Sequence, residues 1–186
     1  MSSNPWVVHR AVAYLRAGGV IAYPTETIWG LGCDPLNPEA VLRLLALKRR
    51  SPTKGLILVA GELSQLQGWI KPSSPVQIQA LLDAWPVPVT WLFPAQEHVP
   101  PWIRGQHHSV AVRLSTSPLI RSLCRGLGGA LVSTSANISG RPVARNRYVV
   151  RKQLGADVDY IVPSAGAMTG QASQIRDAIT GKTVRL

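Results

Sequence analysis

Apolar and polar positions in this chain alternate between two periods. Trp6, Val7, Ala11, Tyr14 and Leu15 recur at helical spacing, and Gly18-Gly19 closes that stretch, so a first helix is expected before residue 18. The run Val20 to Tyr23 reads as a strand that stops at Pro24, whose ring fixes φ and removes a donor. Asn37 is a good N-cap with Pro38 at the first helical position, so Glu39 to Arg49 reads as a helix. Val41, Leu44, Leu45 and Lys48 share one of its faces. Leu56 to Ala60 is a short, wholly apolar strand of the kind covered on both faces. Helices are expected over Ser64 to Ile70, Pro75 to Trp85, Pro118 to Arg125 and Arg147 to Leu154. Further strands are expected over Val89 to Phe93, Val110 to Leu114, Ala130 to Thr134, Tyr160 to Val162, Gln174 to Ala178 and Thr183 to Leu186. Strands interleaved with helices in this order imply one α/β domain, residues 1–186, with a mixed sheet.

Two polar stretches stand out against this pattern. Tyr23-Pro24-Thr25-Glu26-Thr27-Ile28-Trp29-Gly30-Leu31-Gly32 places two threonines, a carboxylate and two glycines directly after a strand. In open α/β sheets, small ligands bind at such strand ends. The residues alone equally allow a polar turn after an edge strand. Ser133-Thr134-Ser135-Ala136-Asn137 likewise follows an apolar strand. Serine and asparagine there often only cap the next helix, but Gly140 and Pro142 follow and no helix begins within reach.

Charge changes the picture further. The chain has 186 residues, a hydrophobic content of 46% and a formal net charge of +11. From His98 to Ala156 it has no acidic residue, yet it carries Arg104, Arg113, Arg121, Arg125, Arg141, Arg145, Arg147, Arg151 and Lys152. A second basic block, without acids, runs from Arg43 through Lys48, Arg49 and Arg50 to Lys54. Arginine suits bidentate contact with phosphate, so a nucleotide or RNA partner is expected. No apolar run approaches the roughly 18 residues of a membrane helix, no signal-peptide pattern opens the chain, and a soluble cytoplasmic protein is expected. Cys33 and Cys124 have no metal-ligand spacing and read as buried small hydrophobes.

Several familiar patterns fail. Gly181-Lys182-Thr183 lacks the earlier P-loop glycine, which is Arg176. Gly30-Leu31-Gly32 lacks the third glycine of a dinucleotide fingerprint, where Pro35 stands. Ser51-Pro52-Thr53-Lys54 matches S-x-x-K without its companion motifs. Asn137-Ile138-Ser139 is a glycosylation sequon with no secretory context. His107-His108 has no carboxylate or thiol nearby to complete a metal site.

Three blocks together resemble the YrdC/TsaC family: Tyr23-Pro24-Thr25-Glu26-Thr27 with Gly30-Leu31-Gly32, then Lys48-x-Arg50, then Ser135-x-Asn137. Trp85-Pro86-x-Pro88-Val89-Thr90, Val110-Ala111-Val112-Arg113, Ser173-x-Ile175-x-Asp177 and Val184-Arg185 extend the likeness over the whole chain in order. The resemblance implies a twisted mixed sheet with flanking helices and a basic concave cleft. It also implies threonylcarbamoyl-AMP synthesis from L-threonine, bicarbonate or CO2, and ATP, the first step of tRNA threonylcarbamoyladenosine (t6A) formation.

By that resemblance Lys48, Arg50, Ser135 and Asn137 carry the reaction and contact ATP, joined by Lys54, Ser109, Val143 (through its backbone) and Arg185. Thr25, Arg113, Ser133 and Ser173 hold threonine, with Arg113 on its carboxylate. Magnesium accompanies ATP without protein side chains as ligands. The implied partners are tRNA or double-stranded RNA and the downstream TsaB, TsaD and TsaE transfer machinery, with no membrane. The chain departs from the family pattern at Val87, where glycine is usual, at Ser115 and Ser117, and at Val59, where longer relatives carry histidine. Glu26 reads as an orienting group rather than a base. The alternative is a double-stranded RNA-binding or ribosome-maturation protein without catalysis; the charge supports it, but RNA-stacking aromatics of the kind expected for single strands are not clustered with the arginines.

Overall fold

A computed structural model describes residues 4–84, 86–164, 170 and 173–185. Six helices and nine strands are described: α1 (Pro5–Arg16), β1 (Ile21–Pro24), β2 (Trp29–Gly32), α2 (Pro38–Leu47), β3 (Ile57–Ala60), α3 (Pro75–Asp83), β4 (Thr90–Pro94), α4 (Pro101–Arg104), β5 (Ser109–Leu114), α5 (Pro118–Leu127), β6 (Leu131–Ser135), α6 (Arg147–Leu154), β7 (Tyr160–Ile161), β8 (Ile175–Asp177) and β9 (Thr183–Arg185). The strands form one sheet in the order β7-β1-β2-β6-β3-β5-β4-β8-β9. Pairs β1–β7, β3–β5 and β4–β8 are parallel, and the other five are antiparallel.

Capping chemistry sets the helix starts. Side chains of Asn4, Asn37, Ser117 and Asn146 accept backbone N–H bonds at the starts of α1, α2, α5 and α6. A proline opens each of the first three, because its missing N–H would be unsatisfied there anyway.

The alternation of side chains along each strand sorts the core into two layers. Ala22, Leu58, Ala60, Val110, Val112 and Val132 join the larger cluster with α2 and α4. On the opposite face, Ile21, Tyr23, Val59 and Leu131 pack beneath Ala11, Leu15, Ile120 and Leu123 of α1 and α5. Those two helices cover only part of that face.

Two sequence expectations are corrected, and one helix was missed. Trp29 to Gly32 is a strand rather than loop, so the stretch from Ile21 to Gly32 is a hairpin closed by residues 25–28. Gly32 is required by its neighbours: a Cβ there would lie 2.4 Å from the Val132 carbonyl and 2.8 Å from the Tyr23 ring. Residues 64–70 form no α-helix. Only the 3-10 turn Leu63–Gln65 forms, held by Gln65 Oε1 accepting from the N–H groups of Gly61 and Glu62. The helix α4 was not expected at all, being too short to show a period. Trp85 and Leu186, the expected ends of a helix and a strand, lie outside the described residues.

The fold also assembles a surface that chain order hides. Arg10 and Tyr14 of α1, Arg147, Tyr148 and Arg151 of α6, and Tyr160 of β7 meet at the β7 edge. Tyr14 and Tyr160 stack with centroids 5.3 Å apart, Arg10 lies 5.6 Å from the Tyr160 ring centre, and Arg147 lies 5.0 Å from that of Tyr148. Aromatics therefore do cluster with arginines: Arg10 meets Tyr160 across the fold, and Arg147 lies against its chain neighbour Tyr148.

Candidate active site

Where α1 and α5 stop, the same sheet face continues as the floor of a cleft of about 270 Å3. The alternation persists, but the side chains change. Along β6 the inward series runs Leu131, Ser133, Ser135; along β5 it runs Arg113, Ala111, Ser109. Register brings Ile57 opposite both Ser133 and Ala111, and Leu92 opposite Ala111, so small or polar positions on β6 and β5 alternate with apolar ones on β3 and β4. This volume sits near the lower bound of small-ligand pockets, roughly 300 Å3. Arg50, Lys54, Arg104 and Arg113 line the cleft together with His107, and among the described residues no Asp or Glu does.

The inner end is built by the hairpin loop. Thr25 Oγ1 donates to the Ile28 carbonyl at 2.7 Å and accepts from the N–H groups of Thr27 and Ile28, both at 3.2 Å. Such a side-chain-closed turn replaces backbone ladder bonds. Next to it, Glu26 accepts from the Ser115 hydroxyl and from the N–H groups of Thr116 and Ser117, at 2.9 and 3.1 Å. Burial acts to raise the Glu26 pKa, but the Ser115 hydroxyl, the Arg113 charge and the Ser117 N–H outweigh it and hold the carboxyl below its ordinary value. Glu26 thus ties the Thr25 loop to the start of α5, the orienting work expected of it.

Arg113 is 5% exposed, and its Nε has no hydrogen-bond partner. A buried guanidinium is costly unless an anion offsets it; Glu26 is the carboxylate whose pKa the Arg113 charge lowers, and Nε keeps no acceptor among the described residues. Ser133 is buried alongside, and Ser173 is buried with its hydroxyl 2.8 Å from that of Thr90. The structure therefore brings Thr25, Arg113, Ser133 and Ser173 into one pocket wall.

Lys48 and Arg50 part company at a reversed turn. Arg49, at φ 50°, is the only described non-glycine residue with positive φ. It ends α2 in the left-handed conformation usually given to glycine. Arg50 turns to the cleft, donating to the Gly55 carbonyl at 3.0 Å. Lys48 turns inward, 2% exposed, and its Nζ donates to the carbonyls of Ser135 and Asn137 and to Asn137 Oδ1. Burial, with Arg50 nearby, lowers its pKa to about 8. Ser135 Oγ donates to Asn137 Oδ1 at 2.6 Å, and Asn137 Nδ2 donates to the Arg141 carbonyl at 2.6 Å. Lys48 and Asn137 thus brace the loop after β6 from beneath and do not line the cleft, whereas Arg50, Lys54, Ser109, Ser135 and Val143 do. Arg185 ends β9, and its side chain lies outside the described residues.

The departures from the family pattern have local explanations. Val87 is exposed and has no positive φ, so nothing there demands glycine. Ser115 binds Glu26, and Ser117 caps α5. Val59 packs under α1 and α5, facing away from the larger core cluster. Sequence reasoning assigned neither Arg104 nor His107 to the cleft. His107 was weighed only as half of a metal pair, and the available signal was its place inside a long basic stretch free of acids.

The Sua5/YciO/YrdC family model, described as telomere recombination, matches residues 13–186. The chain is 48% identical over 185 residues to a threonylcarbamoyl-AMP synthase of Nitrosococcus oceani, covering 100% of both chains. It superposes on P. abyssi Sua5 complexed with L-threonine with a TM-score of 0.91 at 28% identity, covering 100% of this chain and 55% of that one. E. coli YciO shares the fold at a TM-score of 0.87 and 23% identity, covering 100% of this chain and 95% of that one.

Proposed function

The chain belongs to the Sua5/YciO/YrdC family, and we propose that it is an L-threonylcarbamoyladenylate synthase that makes the precursor of tRNA t6A. The amine nitrogen of L-threonine adds to CO2, free or supplied by bicarbonate, and the carbamate forms with loss of one proton. A carbamate oxygen then attacks the α-phosphorus of ATP. The bond from that phosphorus to the bridging oxygen breaks, and pyrophosphate leaves with the bond's electron pair. Such chemistry asks the protein for alignment and for cations against developing charge rather than for a nucleophile. The observation that carries this reading is a cleft lined, among the described residues, by four Arg or Lys side chains and no Asp or Glu, whose innermost arginine is buried with Nε unpartnered.

In this reading Arg113 takes the threonine carboxylate, with Thr25, Ser133 and Ser173 around the rest of the amino acid. Arg50, Lys54, Ser109, Ser135, Val143 and Arg185 serve ATP. Lys48 and Asn137 hold the Ser135 loop in place. Magnesium arrives on the triphosphate, held by substrate oxygens, as suits an ion that keeps much of its water. Action in the cytoplasm and hand-over to the TsaB, TsaD and TsaE machinery belong to the same reading. Among the described residues no helix is long and apolar enough to cross a membrane.

The direct assay supplies ATP, magnesium and labelled bicarbonate with and without L-threonine. Pyrophosphate and a labelled adenylate are expected only with threonine, and threonine-independent or absent turnover rejects the reading. RNA association is a second property, favoured by the arginine–tyrosine surface at the β7 edge, where phosphate contact and base stacking are both available. Replacing Arg147 and Arg151 together is expected to weaken RNA binding and flatten its salt dependence. An unchanged slope removes these residues as phosphate contacts.

A further inference from the structure

The mouth of the cleft is formed by two chain segments clasped backbone to backbone. Leu56 N–H donates to the Ile103 carbonyl at 2.8 Å, and Gln106 N–H donates to the Thr53 carbonyl at 3.1 Å. Glycines make the approach possible. A Cβ on Gly105 would lie 2.3 Å from the Thr53 carbonyl oxygen, and one on Gly55 would lie 2.9 Å from that of Arg104. Both glycines also have positive φ, +65° and +63°, a conformation that L side chains adopt only with strain. The clasp therefore fixes the segment carrying Arg104 and His107 against the 3-10 turn Pro52–Lys54 that carries Lys54.

Arg104 and His107 both line the cleft, as do Arg50 and Lys54. Arg104 NH1 donates to the His107 carbonyl at 3.1 Å, which sets the loop, while its other N–H groups have no partner among the described residues. No acid in the lining competes for these cations. With Arg113 committed at the buried inner end, the mouth holds more positive charge than a single phosphate needs. A leaving pyrophosphate, by contrast, gains charge as its bond to the α-phosphorus breaks, and donors fixed in place beforehand stabilise it best.

We propose that Arg104 and His107 bind the β- and γ-phosphates of the nucleotide, opposite Arg50 and Lys54, and hold the departing pyrophosphate. The assignment rests on the synthase reading of the cleft and extends it to a segment, residues 103–107, that neither the family resemblance nor the relatives assign. The arginine supplies the paired donors that suit a phosphate edge. The histidine adds a ring N–H donor.

The test is equilibrium binding of three probes to the full chain: a non-hydrolysable ATP analogue, AMP and inorganic pyrophosphate. Arg104→Ala is expected to weaken the analogue and pyrophosphate about tenfold, matching one lost charge-assisted contact. His107→Gln should weaken them about threefold, as one weaker contact would. Both variants should leave AMP and L-threonine binding within about twofold of wild type, the scale of an untouched contact. Since Arg104 also sets its loop, Arg104→Lys should recover part of the pyrophosphate affinity, and His107→Gln removes no hydrogen bond seen in the structure. Equal losses for AMP and the analogue, or no loss for either variant, would overturn the assignment while leaving the synthase reading in place. A wild-type protein that binds neither the analogue nor pyrophosphate would overturn both.

Discussion

Two halves of one sheet face meet different fates. Under α1 and α5 the inward positions are Ile21, Tyr23, Val59 and Leu131, all fully buried. Further along the same sheet face the inward positions become Ile57 of β3, Ser133 of β6, Gly30 of β2 and Arg113 of β5, which line the cleft. Strand, pleat and register continue unbroken from one half to the other. Function begins where side-chain chemistry stops offering a helix anything to bury.

The sharpest way to break this comparison is to exchange the properties of the halves. Ala111→Leu places an apolar side chain on the bare floor, where it meets cleft rather than packed core. Turnover is expected to fall roughly 100-fold, because a misplaced substrate costs about that much, with little change in thermal midpoint. Leu131→Ala on the covered half should do the reverse, lowering stability by about 2–5 kcal/mol with the KM for threonine unchanged. If both variants lose activity and stability in proportion, the two halves are not separable. Urea unfolding and steady-state rates on the same samples decide it.

A smaller effect tests the seam between the halves and the loop beneath the cleft. Lys48 is buried and its pKa is lowered to about 8. In the unfolded chain the amine titrates at its ordinary value, so between about 8 and that value the unfolded state binds more protons, and stability rises with pH. Below about 8 the lysine is charged in both states and the burial penalty is complete. Lys48→Met should lose the rise contributed by this group. A variant whose stability climbs as steeply as wild type's over that range would show that the buried amine is not its source.

Much of this arrangement was legible in the residues. Asparagine and serine caps followed by proline mark helix starts directly, and short apolar runs bounded by proline or glycine mark most strands. The hairpin's second strand was hidden because Gly30 and Gly32 look like loop glycines, while the cause at Gly32, the close Val132 carbonyl and Tyr23 ring, is a contact between strands. Residues 64–70 carry Leu66 and Ile70 at helical spacing and bury both, yet the chain there forms only the 3-10 turn Leu63–Gln65. Spacing reports burial before it reports helix. In the cleft, the motif residues Thr25, Arg50 and Ser135 could be named from sequence, and the inward side chain of Lys48 follows from the helix face it shares with the buried Val41, Leu44 and Leu45. No linear pattern shows the left-handed Arg49 that redirects the chain before Arg50, or the clasp that carries Arg104 and His107 to the mouth.

The central claim is that the bare half of the sheet face is divided, with an amino-acid end at Arg113 and a nucleotide end at the mouth. Calorimetric titration of wild type and Arg113→Gln with L-threonine, and separately with a non-hydrolysable ATP analogue, tests it most directly. Arg113→Gln is expected to weaken threonine at least tenfold, the cost of losing a hydrogen bond between charged groups, and to leave the nucleotide affinity within about twofold, under half the 1.4 kcal/mol that tenfold represents. Equal losses for the two ligands, or a threonine affinity that survives the substitution, would contradict it.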